Sequence, residues 1–207
     1  MKEKKSFQIK SEQDFILFGR EFSNSFLKPS ADREIIWFAQ DGDCILKEQI
    51  PLRVFTSEES TDFSFLLKSV SYLSGAATLV RCYVENAGDM TIVGSISKQT
   101  PFPDWEKQAV YMGGGVTDFS CVSCSSEKNF SSLVKKNPSA IALDVSGFSE
   151  SNCITYLKEI PKEIKRGICG PILPEDVIKF LSYPLDFIMP SFLLGDFPSV
   201  KMIVSED

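Results

Sequence analysis

The chain has 207 residues, of which 43% are hydrophobic and 24% are charged, the composition of an ordinary globular protein. Its formal net charge of −6 argues against nucleic acid or a membrane surface as a partner, and its apolar runs are too short to predict a membrane span. The sequence contains no histidine, which excludes Ser-His-Asp and Cys-His catalysis and histidine-ligated metals. Six cysteines, behind first residues that lack the apolar core of a signal peptide, predict reduced thiols and a cytoplasmic location.

Residues 1–62 predict a small β-rich N-terminal domain. FQIKSEQDFILFG predicts either a pair of strands or a strand followed by the start of a helix, and REFSNSFLK predicts a short helix. The run EIIWFA is typical of a strand and is followed by the turn signal DGD. Two more short strands, separated by Pro51, are predicted in ILKEQIPLRVF.

A change of pattern at position 62 marks the start of a second predicted domain, residues 63–207. Apolar residues recur at spacings of three and four from Phe65 to Val84, which predicts an amphipathic helix ending near Glu85, and the small residues of SGAAT within it allow close approach to a neighbour. Beyond it, the apolar runs TIVGSI, FSCVSC, AIALDV, RGICGP and FIMPSF alternate with the helical segments WEKQAVYM, NFSSLVKK, SESNCITYLKEI and LPEDVIKFL. This alternation predicts parallel strands joined by crossover helices, in an α/β layer or barrel.

Several segments resemble, in order, the motifs of one enzyme family. SYLSGAATLVRCYVE and then ISKQTPFPDWEKQAVYMGGGV are similar to a helix, a strand ending in TRKTTPG, a helix with LEKxAV and a GGGxxHR loop of quinolinate phosphoribosyltransferases. IIWFAQDGDCILKEQI resembles the strand–DGD–strand segment of the family's first domain, AIALDV its strand ending in LDN, and GICGPILPEDV its ASGG loop. The resemblance extends over residues 30–200.

The resemblance implies a small N-terminal α/β sandwich domain and an open α/β barrel, shortened here by a β/α unit between Asp118 and FSCVSC. It also implies a dimer in which each subunit contributes to the partner's active site. Members of the family form nicotinate mononucleotide from quinolinate and phosphoribosyl pyrophosphate, on the route to NAD. Magnesium is the cofactor expected if this activity survives, and the sequence indicates no other.

The chain departs from the family at most positions that bind these anionic substrates. The arginine of TRKTTPG is Ser97, and the His and Arg of GGGxxHR are Asp118 and Phe119. The two phosphate-binding loops contain Pro171 and Pro190, which have no amide N–H to donate. Because a hydrogen bond to a charged group contributes roughly 1.5–3 kcal/mol, several such losses predict poor binding of both substrates.

The candidate site residues are those that survive at family positions. Lys98, at the carboxyl end of the first predicted barrel strand, and Asp144, the acid of LDN, are the candidate catalytic residues. Lys98 can also be simply an exposed lysine, and for Asp144 a loop cap or turn residue is slightly favoured. For Arg81 a solvated or salt-bridged arginine is favoured, and for Gly113 to Gly115 backbone freedom at a tight junction is favoured. No metal ligands are indicated. The candidate substrate-binding residues are Arg81, Gly113, Gly114, Gly115 and Gly170.

Cys121 and Cys124 form a C-x-x-C motif, a pattern that can bind zinc or carry redox chemistry. The motif lies in a predicted strand, where residues three apart point to opposite faces, and no histidine or second motif completes a zinc site. Burial as small hydrophobic residues is therefore the favoured interpretation. An excess of phenylalanine at family site positions predicts a pocket that is filled or apolar; these residues are Phe63, Phe65, Phe102 and Phe119.

Three hypotheses about function follow from these observations. The favoured one is a catalytically degenerate paralogue of quinolinate phosphoribosyltransferase, retained for assembly or regulation as a homodimer or as a hetero-oligomer with a true family enzyme. The second is an active phosphoribosyl- or other glycosyltransferase on a quinolinate- or nicotinate-related or less anionic substrate, which requires an open cleft faced by Lys98 and Asp144. The third is a small-molecule binding module without chemistry.

Overall fold

The structure is a computed structural model that describes residues 4–26, 33–56, 61–94, 102–191 and 197–206. The chain divides into two compact units, each made of segments distant in sequence. Unit 1 comprises Met1–Leu79, Asp104–Gly113 and Phe197–Asp207, and unit 2 comprises Val80–Pro103 and Gly114–Asp196. The domain boundary predicted at position 62 lies inside unit 1.

Unit 1 is built on a four-stranded antiparallel sheet and a two-stranded one. Alternate residues of the larger sheet point to one face, where Ile9, Leu52 and Val54 are buried. The last strand in the sequence, Met202–Glu206, was not predicted; it pairs with the first, Lys5–Ser11. The larger sheet has the order β11-β1-β5-β3, with β1 (Lys5–Ser11), β3 (Arg33–Trp37), β5 (Leu52–Thr56) and β11 (Met202–Glu206), and the smaller pairs β2 (Phe15–Ile16) with β4 (Cys44–Ile45).

The DGD turn caps the short helix α1 (Arg20–Phe26). Oδ1 of Asp41 accepts the backbone N–H groups of Gly19 at 2.8 Å and Arg20 at 2.9 Å, and Oδ2 accepts that of Glu21 at 3.2 Å. N–H groups at the start of a helix have no partner within the helix, and a carboxylate there also interacts favourably with the helix dipole. Asp41 therefore joins the DGD turn to α1 within unit 1.

Replacing Asp41 by alanine is expected to lower the free energy of unfolding by about 1–2 kcal/mol, because it removes all three capping bonds. Urea denaturation followed by circular dichroism measures the change. Alanine at Glu12, an exposed carboxylate of the same unit, is the control and should change stability by less than about 0.5 kcal/mol. Equal effects at the two positions would contradict the capping role.

The long amphipathic helix is confirmed as α2 (Thr61–Ala87), which has 27 residues. In unit 1 its residues Leu66 and Val70 are buried with Phe15, Leu17 and Val200. By length and composition alone Phe63–Ala87 is apolar enough to cross a membrane, the one such helix in the described part of the chain. Half of its most apolar window is buried inside the protein, as in the core helix of a globular protein.

Unit 2 is a five-stranded parallel sheet with helices in its connections, which confirms the predicted α/β class. An isolated parallel bridge joins Val93 to Val116 beside the first strand of this sheet. Residues 117–121, which lead to the next strand, form neither helix nor strand, in agreement with the expected loss of a β/α unit. The order is β6-β10-β9-β8-β7, with β6 (Thr91–Ile92), β7 (Val122–Cys124), β8 (Ala140–Asp144), β9 (Lys165–Gly170) and β10 (Phe187–Pro190).

The helices follow the predicted segments, with one difference of type. LPEDVIKFL forms the 3-10 helix Pro174–Phe180 instead of an α-helix. Ser149 caps α5, since its side chain accepts the N–H of Asn152 at 3.3 Å. The α-helices that follow α2 are α3 (Pro103–Met112), α4 (Glu127–Lys135) and α5 (Glu150–Glu159).

Candidate functional site

The carboxyl ends of the parallel strands of unit 2 bring two of the candidate residues together. Asp144 ends β8 and Gly170 ends the neighbouring strand β9, where Asp144 is in register with Cys169. Gly170 has a φ of 127°, and a Cβ at this position would lie 3.0 Å from Oδ1 of Asp144. Only glycine fits so close to the carboxylate in this backbone conformation.

Asp144 has a local structural role at this edge. Its Oδ1 accepts the N–H of Ser146 at 2.9 Å, and its backbone carbonyl accepts the N–H of Gly147 at 2.8 Å. These bonds stabilise the tight turn that follows β8. Aspartate side chains commonly stabilise turns in this way. The candidate catalytic carboxylate is thus half-buried and bonded within its own loop.

The candidate residues in the described part of the chain, other than Gly170, have local surroundings of their own. Gly113 donates its N–H to the carbonyl of Ala109 at 3.0 Å, as the continuation of α3 in unit 1. Gly114 has a φ of 95°, and a Cβ there would lie 3.4 Å from the side chain of Val84. Arg81 is half-buried in α2, with an Nε that has no hydrogen-bond partner among the described residues. Gly115 is buried, and Lys98 lies outside the described residues.

Aromatic side chains fill the interior of the parallel sheet. The ring of Phe187 is fully buried, and its centroid lies 4.5 Å from that of Phe119. Gly167 makes room for it, since a Cβ there would lie 2.6 Å from Cδ2 of Phe187. Val93 and Ala142 belong to the same apolar cluster. Phe119, which stands where the resemblance places an arginine, therefore packs in this interior.

Not every phenylalanine of the predicted filled pocket lies there. Phe63 packs in the core of unit 1, and Phe65 is 44% exposed on α2 in the same unit. Phe102 is half-buried. The sequence motifs pointed to Phe119 but not to Phe187. Phe187 lies over Gly167 because β9 pairs with β10, which the sequence does not show.

Four cysteines of unit 2 are weakly acidic thiols, of which Cys121 is half-buried and the other three are buried. Cys124 donates to the carbonyl of Ser126 at 3.3 Å, whereas Cys121 belongs to the interior cluster beside Met189, so the two residues of C-x-x-C have different surroundings. Burial raises the pKa of Cys121 and Cys124, and raises those of Cys153 and Cys169 to about 11. None of these four is activated as a nucleophile, because the thiolate is the reactive form.

The described strand ends are poor in groups that bind anions. The residues that directly follow β7, β8, β9 and β10, namely 125–126, 145–147, 171–173 and 191, include no lysine or arginine. Among the described residues no group of three or more His, Cys, Asp or Glu side chains is placed to hold a metal ion. Magnesium is usually held by one or two carboxylates together with substrate phosphates, so Asp144 would supply one ligand and the phosphates the others.

Two cavities that the sequence did not predict lie within the separate units. In unit 1 an open cleft of about 780 Å³ lies beside the start of α1 and the end of α3. Polar, charged and apolar side chains line the cleft; among them are the amides Asn24, Gln40 and Gln108, the charged residues Arg20, Glu21 and Asp41, and Tyr111 and Met112. In unit 2 a cavity of about 210 Å³ lies between α5 and the 3-10 helix, lined by Phe148, Cys153, Phe180 and Tyr183 among others.

Two buried tyrosines of unit 2 predict that stability falls at alkaline pH. Tyr83 donates to the carbonyl of Ile172 at 2.6 Å, and burial, with Glu175 and Asp176 nearby, raises its pKa to about 12. Tyr183 donates to Glu150 at 2.9 Å, and burial with this carboxylate raises its pKa to about 12. A folded-state pKa above the unfolded value gives stability that is complete below about pH 10 and is lost as pH rises towards 12.

Urea denaturation from pH 8 to pH 11 tests this expectation with Tyr83→Phe. At pH 8 the variant should be less stable by about 1–2 kcal/mol, because the Ile172 carbonyl loses its buried donor. Above pH 10 the gap should narrow, since phenylalanine cannot ionise. Ionisation of the buried cysteines also lowers stability as pH rises, but by the same amount in both proteins, so it does not change the difference between them. A gap that stays constant or widens with pH would contradict the assignment.

Comparison with known proteins places the fold. No protein-family model matches the sequence, and no curated protein matches it in sequence. The structure of nicotinate-nucleotide pyrophosphorylase from Ehrlichia chaffeensis matches with a TM-score of 0.82 and 15% identity, over 100% of this chain and 89% of that one. The corresponding protein from Francisella tularensis matches with a TM-score of 0.81 and 15% identity, over 100% of this chain and 87% of that one. NadC from Streptococcus pyogenes matches with a TM-score of 0.76 and 17% identity, over 98% of this chain and 86% of that one.

These matches confirm the fold that the sequence motifs implied. The chain has the fold of nicotinate-nucleotide pyrophosphorylases, the quinolinate phosphoribosyltransferases, with an antiparallel sheet and a parallel α/β sheet. The match covers 86–89% of the length of these three chains, as expected if this chain is a shortened member of the fold.

Proposed function

We propose that this protein is a catalytically degenerate relative of quinolinate phosphoribosyltransferases that acts in the cytoplasm through protein contacts instead of phosphoribosyl transfer. The observation that carries the proposal is that the described residues directly after strands β7 to β10 include no lysine or arginine. These strand ends are where such folds bind substrates, and a phosphate or a carboxylate needs arginine, lysine or free backbone N–H groups. Phe119 and Phe187 pack together nearer the start of the strands, where Nζ of Lys165 lies 5.5 Å from the centroid of the Phe119 ring.

Substrate binding provides the direct test. Isothermal titration of the protein with phosphoribosyl pyrophosphate and magnesium, and separately with quinolinate, should give no measurable heat of binding. The Ehrlichia chaffeensis protein with the same fold serves as the positive control. Saturable binding of either compound in the micromolar range would contradict the proposed loss of the anion sites.

The protein contacts are proposed to involve an aromatic surface on unit 1, defined as Phe26 and Phe65. These side chains are 49% and 44% exposed, and their ring centroids lie 6.2 Å apart. Phe26 stacks on the buried Phe22 at 4.6 Å, which holds its ring in place. Exposed, fixed aromatic side chains are characteristic of the energetic centres of protein interfaces. A homodimer is the proposed assembly, as the resemblance implied.

Light scattering after size exclusion tests the assembly with Phe26→Ser/Phe65→Ser. The double variant should weaken self-association at least tenfold, because each interface aromatic can contribute about 2 kcal/mol. Ile178→Ser is the matched control, since Ile178 is a 59% exposed apolar residue of unit 2. A wild-type chain that remains monomeric at all concentrations would contradict the homodimer. Mixing with a working family enzyme then distinguishes a hetero-oligomer.

A second candidate function, small-molecule binding without chemistry, is favoured by the cleft of about 780 Å³ in unit 1. Its volume is within the range of ordinary ligand sites, and its lining of amides with one arginine and two carboxylates suits a polar ligand that is not a polyanion. A library of nucleosides and sugars screened by thermal shift tests it. Hits that disappear in Gln108→Leu and persist in Ile178→Ser would support this candidate.

A further inference from the structure

Three sulfur-containing side chains lie together in the interior of unit 2. Cys121, Cys169 and Met189 belong to one apolar cluster, although they are far apart in sequence. Sγ of Cys121 is 4.0 Å from Sδ of Met189. Cys169 stands directly beside Met189 in the register of β9 and β10, and its Sγ is 4.0 Å from the hydroxyl of Ser123, two residues after Cys121.

The distance between the sulfur atoms of Cys121 and Met189 suits a metal ion between them. Two metal–sulfur bonds of about 2.3 Å that meet at about 120° place the sulfurs about 4.0 Å apart. This equals the distance between Sγ of Cys121 and Sδ of Met189. Cys169 would supply the third donor from the neighbouring strand.

The donor atoms select the metal. Thiolate and thioether are soft ligands that favour Cu(I), whereas structural zinc sites take four ligands from cysteine, histidine or carboxylate. The chain has no histidine, and Cys124, the second cysteine of the C-x-x-C motif, lies outside the cluster. Val93, Ala142 and Phe187 surround the sulfurs and limit the access of water.

We propose that Cys121, Cys169 and Met189 form a three-coordinate binding site for Cu(I). Each thiol releases its proton as its bond to copper forms, so two protons are displaced per ion and no electron is transferred. Cys121 and Met189 are half-buried, which leaves a route for the ion from the surface. The site does not depend on phosphoribosyl transfer or on its loss.

Anaerobic titration with Cu(I) held by a chromogenic chelator tests the proposal. The titrated protein carries Cys44→Ser and Cys82→Ser, since these cysteines are exposed and could bind copper on their own. We expect one equivalent of Cu(I) per chain. Cys121→Ala and Met189→Leu should each weaken binding at least about 100-fold, because even changes outside the ligand shell weaken metal binding by about 10- to 100-fold.

Cys153→Ala is the matched control, as the same substitution at a buried cysteine outside the cluster. It should leave the affinity for Cu(I) unchanged. X-ray absorption on the copper-loaded protein provides a second measurement that needs no variant, and should give three sulfur neighbours and no nitrogen. Failure to compete with the chelator, a first shell of oxygen or nitrogen, or equal loss in the Cys153 control would overturn the site.

Discussion

Replacing Phe187 by alanine should lower the free energy of unfolding by about 3–5 kcal/mol, the cost of removing a fully buried aromatic ring. Phe187 is completely inaccessible, packs against Phe119 and lies over Gly167, and on the Gly167 side no side chain can move into the space. This loss of stability should be larger than for alanine at any other described phenylalanine of unit 2. Both the lost burial of the ring and the cavity that it leaves contribute to it. Chemical denaturation at neutral pH measures the change.

Phe180→Ala is the control for this prediction. Phe180 is only half-buried, at the end of the 3-10 helix, and should lose about 1–2 kcal/mol. Benzene should restore part of the stability of Phe187→Ala, since it can occupy an apolar cavity of this size. A loss below about 1 kcal/mol at Phe187 would mean that the interior is open. The hypothesis of an active site faced by Asp144 would then regain its support.

Replacing Gly75 by alanine should destabilise the protein by about 2–3 kcal/mol, the upper end of the usual cost of overpacking. Gly75 lies in α2 where the segment that follows Phe197 crosses it within unit 1, and an added Cβ would overlap the carbonyl oxygen of Pro198. Val200 donates its N–H to the carbonyl of Ser71 at 3.0 Å, and the Ser71 hydroxyl donates back to the Val200 carbonyl. These bonds hold the segment against the helix, so it cannot move away cheaply.

Intrinsic helix propensity alone predicts the opposite sign for this substitution. Alanine is favoured over glycine within a helix by about 1 kcal/mol, so stabilisation would be expected at an unpacked position. Ser64→Ala, on an exposed position of α2, is the control and should be neutral or slightly stabilising. If Gly75→Ala also stabilised the protein, the close crossing of the helix and the 197–200 segment would be wrong.

The elements with strong local patterns could be predicted from the sequence. The three- and four-residue spacing, which begins at Phe65, predicted α2 and placed its end within two residues of Ala87, and the short apolar runs predicted the strands β6 to β10. The C-terminal strand β11 was missed because KMIVSE carries little pattern of its own. It is a strand because it pairs with β1, where Phe7 is opposite Glu206, and such distant pairing is not visible locally.

The site was predictable in part. The motifs identified Phe119 and Asp144 as positions where chemistry had been changed or kept, and the structure places Phe119 in the interior and Asp144 at the end of β8. The partners of these residues depend on tertiary packing, so the contacts with Phe187 and Gly170 could not be foreseen. Lys98, the other candidate catalytic residue, lies outside the described residues and stays a prediction.

The proposed loss of phosphoribosyl transfer is best tested by a product assay. Purified protein is incubated with quinolinate, phosphoribosyl pyrophosphate and magnesium, beside the Ehrlichia chaffeensis protein, and nicotinate mononucleotide is quantified by mass spectrometry. We expect no product above the protein-free background while the control forms it. Formation at an appreciable rate, abolished by Asp144→Asn, would show instead that the protein is a compact working enzyme.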